Sequence, residues 1–323
     1  EYVLEEEIAA RIDRTVSSKQ KGLITRIAMQ YKDVFLKDLD PDGVRGANHM
    51  EIEIDSTRTG EISKLMKYKG RKYGPAQATF IREKVEKLWK QGLIRPSKSP
   101  YQSPVVLAPK PGGEFRFCID YRILNEVTVK AHYPMPDAKA ILGRLGQCKY
   151  FIQMDLRDGF YQLMLHEGSR RYTAFSTPLG LMEWCRVPMG ACNAPGHFQR
   201  TMDEIFKDMR DIVDIFIDDL LIGAGTIEEL MDKFNKVLAR LAKCRVRVKL
   251  EKCKFGAREI IALGHQVDGV GMKISDTRKA EIQASPRPRT KTEVLSFLGM
   301  CGFVSDWLGS DYATVKAPLT DLT

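Results

Sequence analysis

Three carboxylates stand out as groups that could do chemistry together. Asp218 and Asp219 are adjacent, between the apolar runs Ile215-Phe216-Ile217 and Leu220-Leu221-Ile222, and Gly223 follows. Asp155 ends another apolar run, Tyr150-Phe151-Ile152-Gln153-Met154. Short runs of this kind bounded by glycine read as buried strands. The spacing therefore predicts a hairpin over 214–223 with both acids near its tip, and a separate strand that ends in Asp155. Adjacent carboxylates on an apolar sheet are costly unless a cation or another partner compensates them. A hard divalent metal is the natural one, because it prefers carboxylate oxygens. Taken alone, the pair reads first as an acidic turn, since Asp is a common turn residue.

The elements around these acids decide between the two readings. A helix is expected near 196–209, opening at Asn193-Ala194-Pro195 with Pro early and packing through Phe198, Met202, Ile205, Phe206 and Met209. A second follows the hairpin, with Thr226 and Glu229 as a capping box and the stripe Ile227, Leu230, Met231, Phe234, Val237, Leu238, Leu241. Two acid sites at a sheet edge, separated by one helical unit, can bring three carboxylates together on one sheet. Such a cluster holds two Mg²⁺ ions roughly 3.5–4 Å apart in phosphoryl-transfer sites. A sheet edge suits the task because loops position ions poorly.

Upstream, Phe80, Ile81, Val85, Leu88 and Trp89 form a helical stripe that Gly92 ends. Val105 to Ala108 and Phe115 to Ile119 read as strands around the turn Pro111-Gly112-Gly113, which Lys110 and Arg116 flank. Met50 to Asp55 alternates apolar and acidic residues as a half-buried strand does. Tyr172 to Ser176 and Met182 to Val187 read as a strand pair around Pro178-Leu179-Gly180. Residues 246–270 read as short strands. Pro286 and Pro288 break the chain before a last helical region that opens on a Thr290/Glu293 capping box.

At 323 residues the chain is long enough for two or three subdomains, and its 43% apolar content is that of a globular protein. No apolar run approaches the roughly 20 residues needed to span a bilayer, so no membrane partner is expected. The net charge of +9 and pI near 9.1 suit a polyanion. The basic stretch from Lys236 to Arg258 reads partly as a solvated helix face and partly as a phosphate-binding track. Seven scattered cysteines lack the spacing of a zinc site or disulfide framework; Cys185, Cys192 and His197 come nearest to a cluster. The chain begins without Met, which points to a processed piece of something longer.

An ordered set of motifs then carries a family resemblance. It includes Gly92-Leu93-Ile94-Arg95-Pro96-Ser97, Arg116-Phe117-Cys118-Ile119-Asp120-Tyr121-Arg122-Ile123-Leu124-Asn125, Tyr133-Pro134-Met135-Pro136 and Met154-Asp155-Leu156 with Gly159-Phe160-Tyr161-Gln162. Pro188-Met189-Gly190, Asn193-Ala194-Pro195, Phe198-Gln199, Phe216-Ile217-Asp218-Asp219, Lys252-Cys253-Lys254-Phe255, Leu263-Gly264-His265 and Phe297-Leu298-Gly299 continue it. Collinear over about residues 30–323, the chain resembles the reverse transcriptase domain of Ty3/gypsy-type LTR retrotransposons, related to retroviral polymerases.

The resemblance implies an α+β right-hand polymerase of fingers, palm and thumb, with a mainly antiparallel palm sheet backed by helices. Residues 1–75 would be an N-terminal extension leading into the fingers, 76–270 fingers and palm, and 271–323 the thumb, with RNase H absent. The implied activity is RNA-directed DNA synthesis, adding dNTPs to the 3′-hydroxyl of a primer on an RNA or DNA template. Two Mg²⁺ ions are the implied cofactors, with Mn²⁺ as an alternative. Asp155, Asp218 and Asp219 match the catalytic metal ligands. Phe160 matches the aromatic gate against a 2′-hydroxyl, Lys110 and Arg116 the cations on the triphosphate, and Met189 and Gly190 the loop under the nucleotide. Leu263, Gly264 and His265 match the segment gripping the primer end. A retroelement particle, cytoplasmic or nuclear, is the implied setting. Phe216 stands where Tyr is usual, Met189 where Phe or Gln is usual, and Ala191-Cys192 replaces a leucine-containing pair; these bear on fidelity and nucleotide affinity. Two rival readings remain: a silent nucleic-acid-binding module derived from such an enzyme, and an RNA-directed RNA polymerase, against which Phe160 argues.

Overall fold

Strands Tyr150–Asp155 and Asp219–Ala224 pair antiparallel at the centre of a four-stranded sheet in the computed structural model, which describes residues 2–66, 70–109, 113, 115–305 and 309–323. Asp214–Phe216 borders the second of them and Lys254–Ala257 the first. Successive side chains of a strand point to opposite faces. The register sets Asp155 across from Asp219, Met154 from Leu220 and Phe151 from Gly223. Asp155, Gln153 and Phe151 therefore share one face with Asp219 and Leu221. Ile152, Met154, Leu220 and Ile222 share the other, and all four are buried in the main core.

Helix Ile227–Cys244 packs on that second face. Its seven-residue stripe is buried as the 3.6-residue period predicts. Burying a large apolar side chain contributes about 1.5–3 kcal/mol, so the stripe holds the helix to the sheet, and truncating Phe234 to Ala would cost about 3–5 kcal/mol. The Thr226 hydroxyl accepts from Glu229 N–H, but the Glu229 carboxylate accepts from Gly225 N–H instead of closing a full capping box. The box at Thr290 and Glu293 is complete. On the carboxylate face, Ile141, Leu142 and Leu145 of helix Ala138–Leu145 pack with Phe151, Leu221, Ile260 and Val267 in a second, smaller core. That core covers only one end of the face and leaves the acid end open.

The remaining strands form smaller antiparallel sheets. Val105–Pro109 pairs with Phe115–Ile119, as expected. Ile94–Pro96 and Phe175–Thr177 both pair with Gly180–Trp184. The expected pair around Pro178 is real but shifted, because residues 171–173 form a 3₁₀ turn. Glu259–Ala262, His265–Asp268 and Gly271–Ile274 make a three-stranded meander, and helices Asp276–Gln283, Lys291–Gly302 and Tyr312–Thr320 follow it. Two expectations differ from the structure. Among the described residues Met50 to Asp55 makes isolated bridges, Met50 with Leu165 and Ile54 with Thr128, and no strand there continues its pairing. Trp89 lies on the outer side of helix Pro75–Lys90 with 49% exposure, while Ile81, Val85 and Leu88 are buried.

Candidate active site

The three acids meet at the open end of the sheet. Asp155 and Asp219 are direct register partners. Asp218 sits in the two-residue hairpin loop with Ile217, whose φ of +53° has the sign that tight hairpin loops require. A β-branched residue there is strained, so surrounding contacts must hold it. All three carboxylates are half-buried. Burial, then repulsion from Asp155 and Asp219, pushes the Asp218 carboxyl up to about 6, with Lys252 opposing the shift. Burial and Asp155 likewise raise Asp219.

Lys252 Nζ donates to Asp155 Oδ2 at 2.8 Å, and the Asp155 bond raises the lysine in turn. Asp218 differs: its Oδ1 is buried with no hydrogen-bond partner among the described residues. Next to it is Gly159, with φ +30°; a Cβ there would lie 2.5 Å from Asp218 Oδ1. Only glycine leaves that oxygen its space. An unpartnered buried carboxylate oxygen, repelled by two other acids, fits a divalent cation. Among the described residues no three His, Cys, Asp or Glu side chains converge into a ready-made metal cage.

A groove of about 710 Å³ opens in front of the acids. Phe216, Ile217, Asp218 and Asp219 line one wall, Ile261, Leu263 and Gly264 a second, and Ser275, Arg278, Glu281 and Phe303 a third. Leu263 and Gly264, at φ +49° and +78°, form the tight turn of the meander. His265 is not on the groove wall: it is buried, 3.0 Å through Nδ1 from Leu263 O, and stacked on Phe303 at 5.0 Å between centroids.

The other expected residues take up varied places. Phe160 lies in the 3₁₀ turn Gly159–Gln162, half-buried, its ring edge-on to Phe198 at 5.6 Å. Arg116 is exposed on strand Phe115–Ile119, and Lys110 lies outside the described residues. Met189 is 49% exposed, and Gly190 has φ +92°. Asn125 clamps that loop from both sides of its amide: Nδ2 donates to Gly190 O at 2.8 Å and Oδ1 accepts from Cys192 N–H at 2.9 Å. Part of the basic stretch makes internal pairs: Lys236 with Asp232, Arg240 with Asp208, Arg245 with Asp40 and Asp42, and Lys252 with Asp155. Sequence reading named Lys252, Gln199, Asn125 and Gly159 only as motif members. Their roles follow from contacts across the fold, for which periodicity carries no signal.

Residues 108–267 match the family model for reverse transcriptase (RNA-dependent DNA polymerase). The chain is 36% identical over 246 residues to the Pol polyprotein of transposon 297 and 35% identical over 250 residues to that of transposon gypsy, both from Drosophila melanogaster. These alignments cover 74% and 75% of the chain but only 23% and 24% of the relatives, so it spans about a quarter of their length. The enzymatic polyprotein of cauliflower mosaic virus is 28% identical over 97% of the chain and 47% of its own length. Among solved structures, a foamy viral protease-reverse transcriptase in complex with double-stranded DNA superposes with a TM-score of 0.85 over 99% of this chain and 55% of that one, at 22% identity. The fold is thus the right-hand polymerase fold.

Proposed function

The chain belongs to the reverse transcriptase family, as a domain of the Ty3/gypsy type, and from that premise we propose that it is an RNA-directed DNA polymerase. It adds dNTPs to a primer 3′-hydroxyl on an RNA or DNA template. The primer oxygen bonds to the α-phosphorus while the α–β bridging bond breaks and pyrophosphate leaves. The observation that carries this reading is the pairing of Asp155 with Asp219, beside Asp218, at the open end of one strand pair, with Asp218 and Asp219 lining a groove of about 710 Å³.

Asp155, Asp218 and Asp219 would hold two divalent ions, Mg²⁺ in our reading with Mn²⁺ as a substitute. Bound there, the ions lower the pKa of the attacking hydroxyl and stabilise charge on the transferring phosphoryl and the pyrophosphate. The chain's own residues do the rest. Asp218 is ionised at neutral pH despite its raised pKa and offers an unshared oxygen. Phe160 excludes a ribose 2′-hydroxyl by occupying its space. Arg116 and Lys110 would take the triphosphate, the arginine with a forked set of donors and the lysine as a point charge. The Met189-Gly190 loop, fixed by Asn125, floors the nucleotide. Leu263 and Gly264 would bear on the primer end, and His265 would act from behind by setting their turn through Leu263 O. In this assignment residues 76–270 supply fingers and palm and 271–323 the thumb, behind an N-terminal 1–75 that also packs onto the palm through Asp13 and Phe255. A retroelement particle is the proposed setting. No helix among the described residues is long and apolar enough to cross a membrane.

The direct test is extension of oligo(dT) on poly(rA) with Mg²⁺ or Mn²⁺, comparing dTTP with UTP and the parent chain with Asp218→Asn. Extension with dTTP alone, lost in Asp218→Asn, is the expected result. Salt-dependent duplex binding with no extension under either metal would replace this reading with a silent binding module.

A further inference from the structure

Helix Ala194–Ile205 carries a buried amide that reaches the catalytic hairpin from behind. Gln199 has 0% exposure. Its Oε1 accepts from Ile217 N–H at 2.8 Å, and its Nε2 donates to Ile215 O at 3.2 Å and to Asp203 Oδ1 at 3.0 Å. Tyr133 OH donates to the other Asp203 oxygen at 2.5 Å. The Arg200 guanidinium lies 5.2 Å above the Tyr133 ring and keeps it in place.

The direction of each bond is fixed by chemistry. An ionised carboxylate only accepts, so Asp203 can bind only the NH₂ side of Gln199. That turns Oε1 toward Ile217 N–H. Tyr133 OH, as a donor, holds Asp203 in the required rotamer. At the end of the chain is Ile217, whose φ of +53° is strained for a β-branched residue and persists only when its surroundings over-determine it. The amide supplies two of those restraints, at Ile215 O in the incoming strand and at Ile217 N–H where the loop begins. Asp218 is the next residue.

We propose that Tyr133, Asp203 and Gln199 form a positioning relay that fixes the 217–218 loop and thereby the direction in which Asp218 presents its carboxylate to a divalent cation. The proposal rests on the assignment of the three acids as the metal site. None of the relay residues touches the reacting atoms, so their effect is on geometry. Removing partners one shell out from metal ligands typically costs 10- to 100-fold in metal affinity or activity.

The test is Mn²⁺ binding to the full chain on oligo(dT)·poly(rA), read from the loss of the free-ion paramagnetic resonance signal, with thermal unfolding and primer extension alongside. Gln199→Leu should weaken Mn²⁺ binding by about 10- to 100-fold while duplex affinity holds. Asp203→Asn, which lets the amide turn over, should fall between that variant and the parent. Tyr133→Phe removes one hydrogen bond, worth about 1 kcal/mol, so about a 5-fold loss is expected. Higher Mn²⁺ should restore extension in all three. A folded Gln199→Leu chain with parental Mn²⁺ affinity overturns the proposal. If that variant does not fold, Tyr133→Phe decides: unchanged Mn²⁺ binding overturns the relay. A parent chain that neither binds Mn²⁺ nor extends primer overturns the polymerase assignment and this proposal with it; an active parent with indifferent variants overturns this proposal alone.

Discussion

Asp218→Asn should abolish synthesis and at the same time stabilise the metal-free chain, and the two effects share one cause. The folded chain pushes the Asp218 carboxyl from the ordinary 3.8 up to about 6. The fold therefore favours the protonated form. Asp218 contributes stability below pH 4, and that contribution is lost as pH rises through about 6. A shift of this size corresponds to about 3 kcal/mol, reduced to about 1–2 kcal/mol because the site is open to water and its charges are screened. An amide has no charge to repel, so the substitution removes that cost above pH 6. For a chain of this length, each kcal/mol moves Tm by about 1–2 °C, and the expected gain is roughly 2 °C. The assay is thermal unfolding of both chains in EDTA from pH 4.5 to 8. The difference, variant minus parent, should be smallest at the acid end, grow as pH rises toward about 6 and level off above it. Adding Mn²⁺ should raise the parent's Tm and reverse the order. A variant less stable than the parent at pH 8 in EDTA, or a flat difference across the range, would refute the electrostatic account of the site.

Three further outcomes follow from the same geometry. Gly159→Ala places a methyl 2.5 Å from Asp218 Oδ1 at a backbone φ of +30°; it should cost about 1–3 kcal/mol of stability and about 100-fold in kcat, measured by denaturant unfolding and single-nucleotide extension. Phe160→Val should relax sugar selection by about 10-fold, since relieving a steric overlap is worth about 1–3 kcal/mol; the ratio of kcat/KM for dTTP and UTP reads it. Lys252→Met removes a cation that lowers both Asp218 and Asp219, so the acid limb of the pH–rate profile should move to higher pH, and a limb that stays put or moves down would contradict it.

Much of the site was legible because strands and helices repeat over short distances. The apolar runs around Asp155 and Asp218-Asp219 announced three strands, a hairpin and a separate partner for it. Once these pair in register, a period of two residues forces Asp155 and Asp219 onto one face and their apolar neighbours onto the other. The stripe from Ile227 to Leu241 announced the helix that covers the opposite face. Where local pattern and tertiary environment parted, the pattern failed. Met50 to Asp55 alternates like a strand but finds no continuous partner, and Trp89 matches the helical stripe but faces outward. Within the basic run 236–258, Arg245 and Arg240 are paired with carboxylates of the N-terminal segment and of Asp208, contacts that the run itself does not announce.

The sequence by itself determined the family, the fold class and the three acids, because these depend on residue types in order along the chain. Only the tertiary structure decided what the acids experience. Lys252 reaches Asp155 across 97 residues, and Gln199 reaches Ile217 across 18. Gly159 leaves the room that Asp218 Oδ1 needs. Burial, repulsion and hydrogen-bond direction act through space at a few ångströms, and no spacing along the chain encodes those distances.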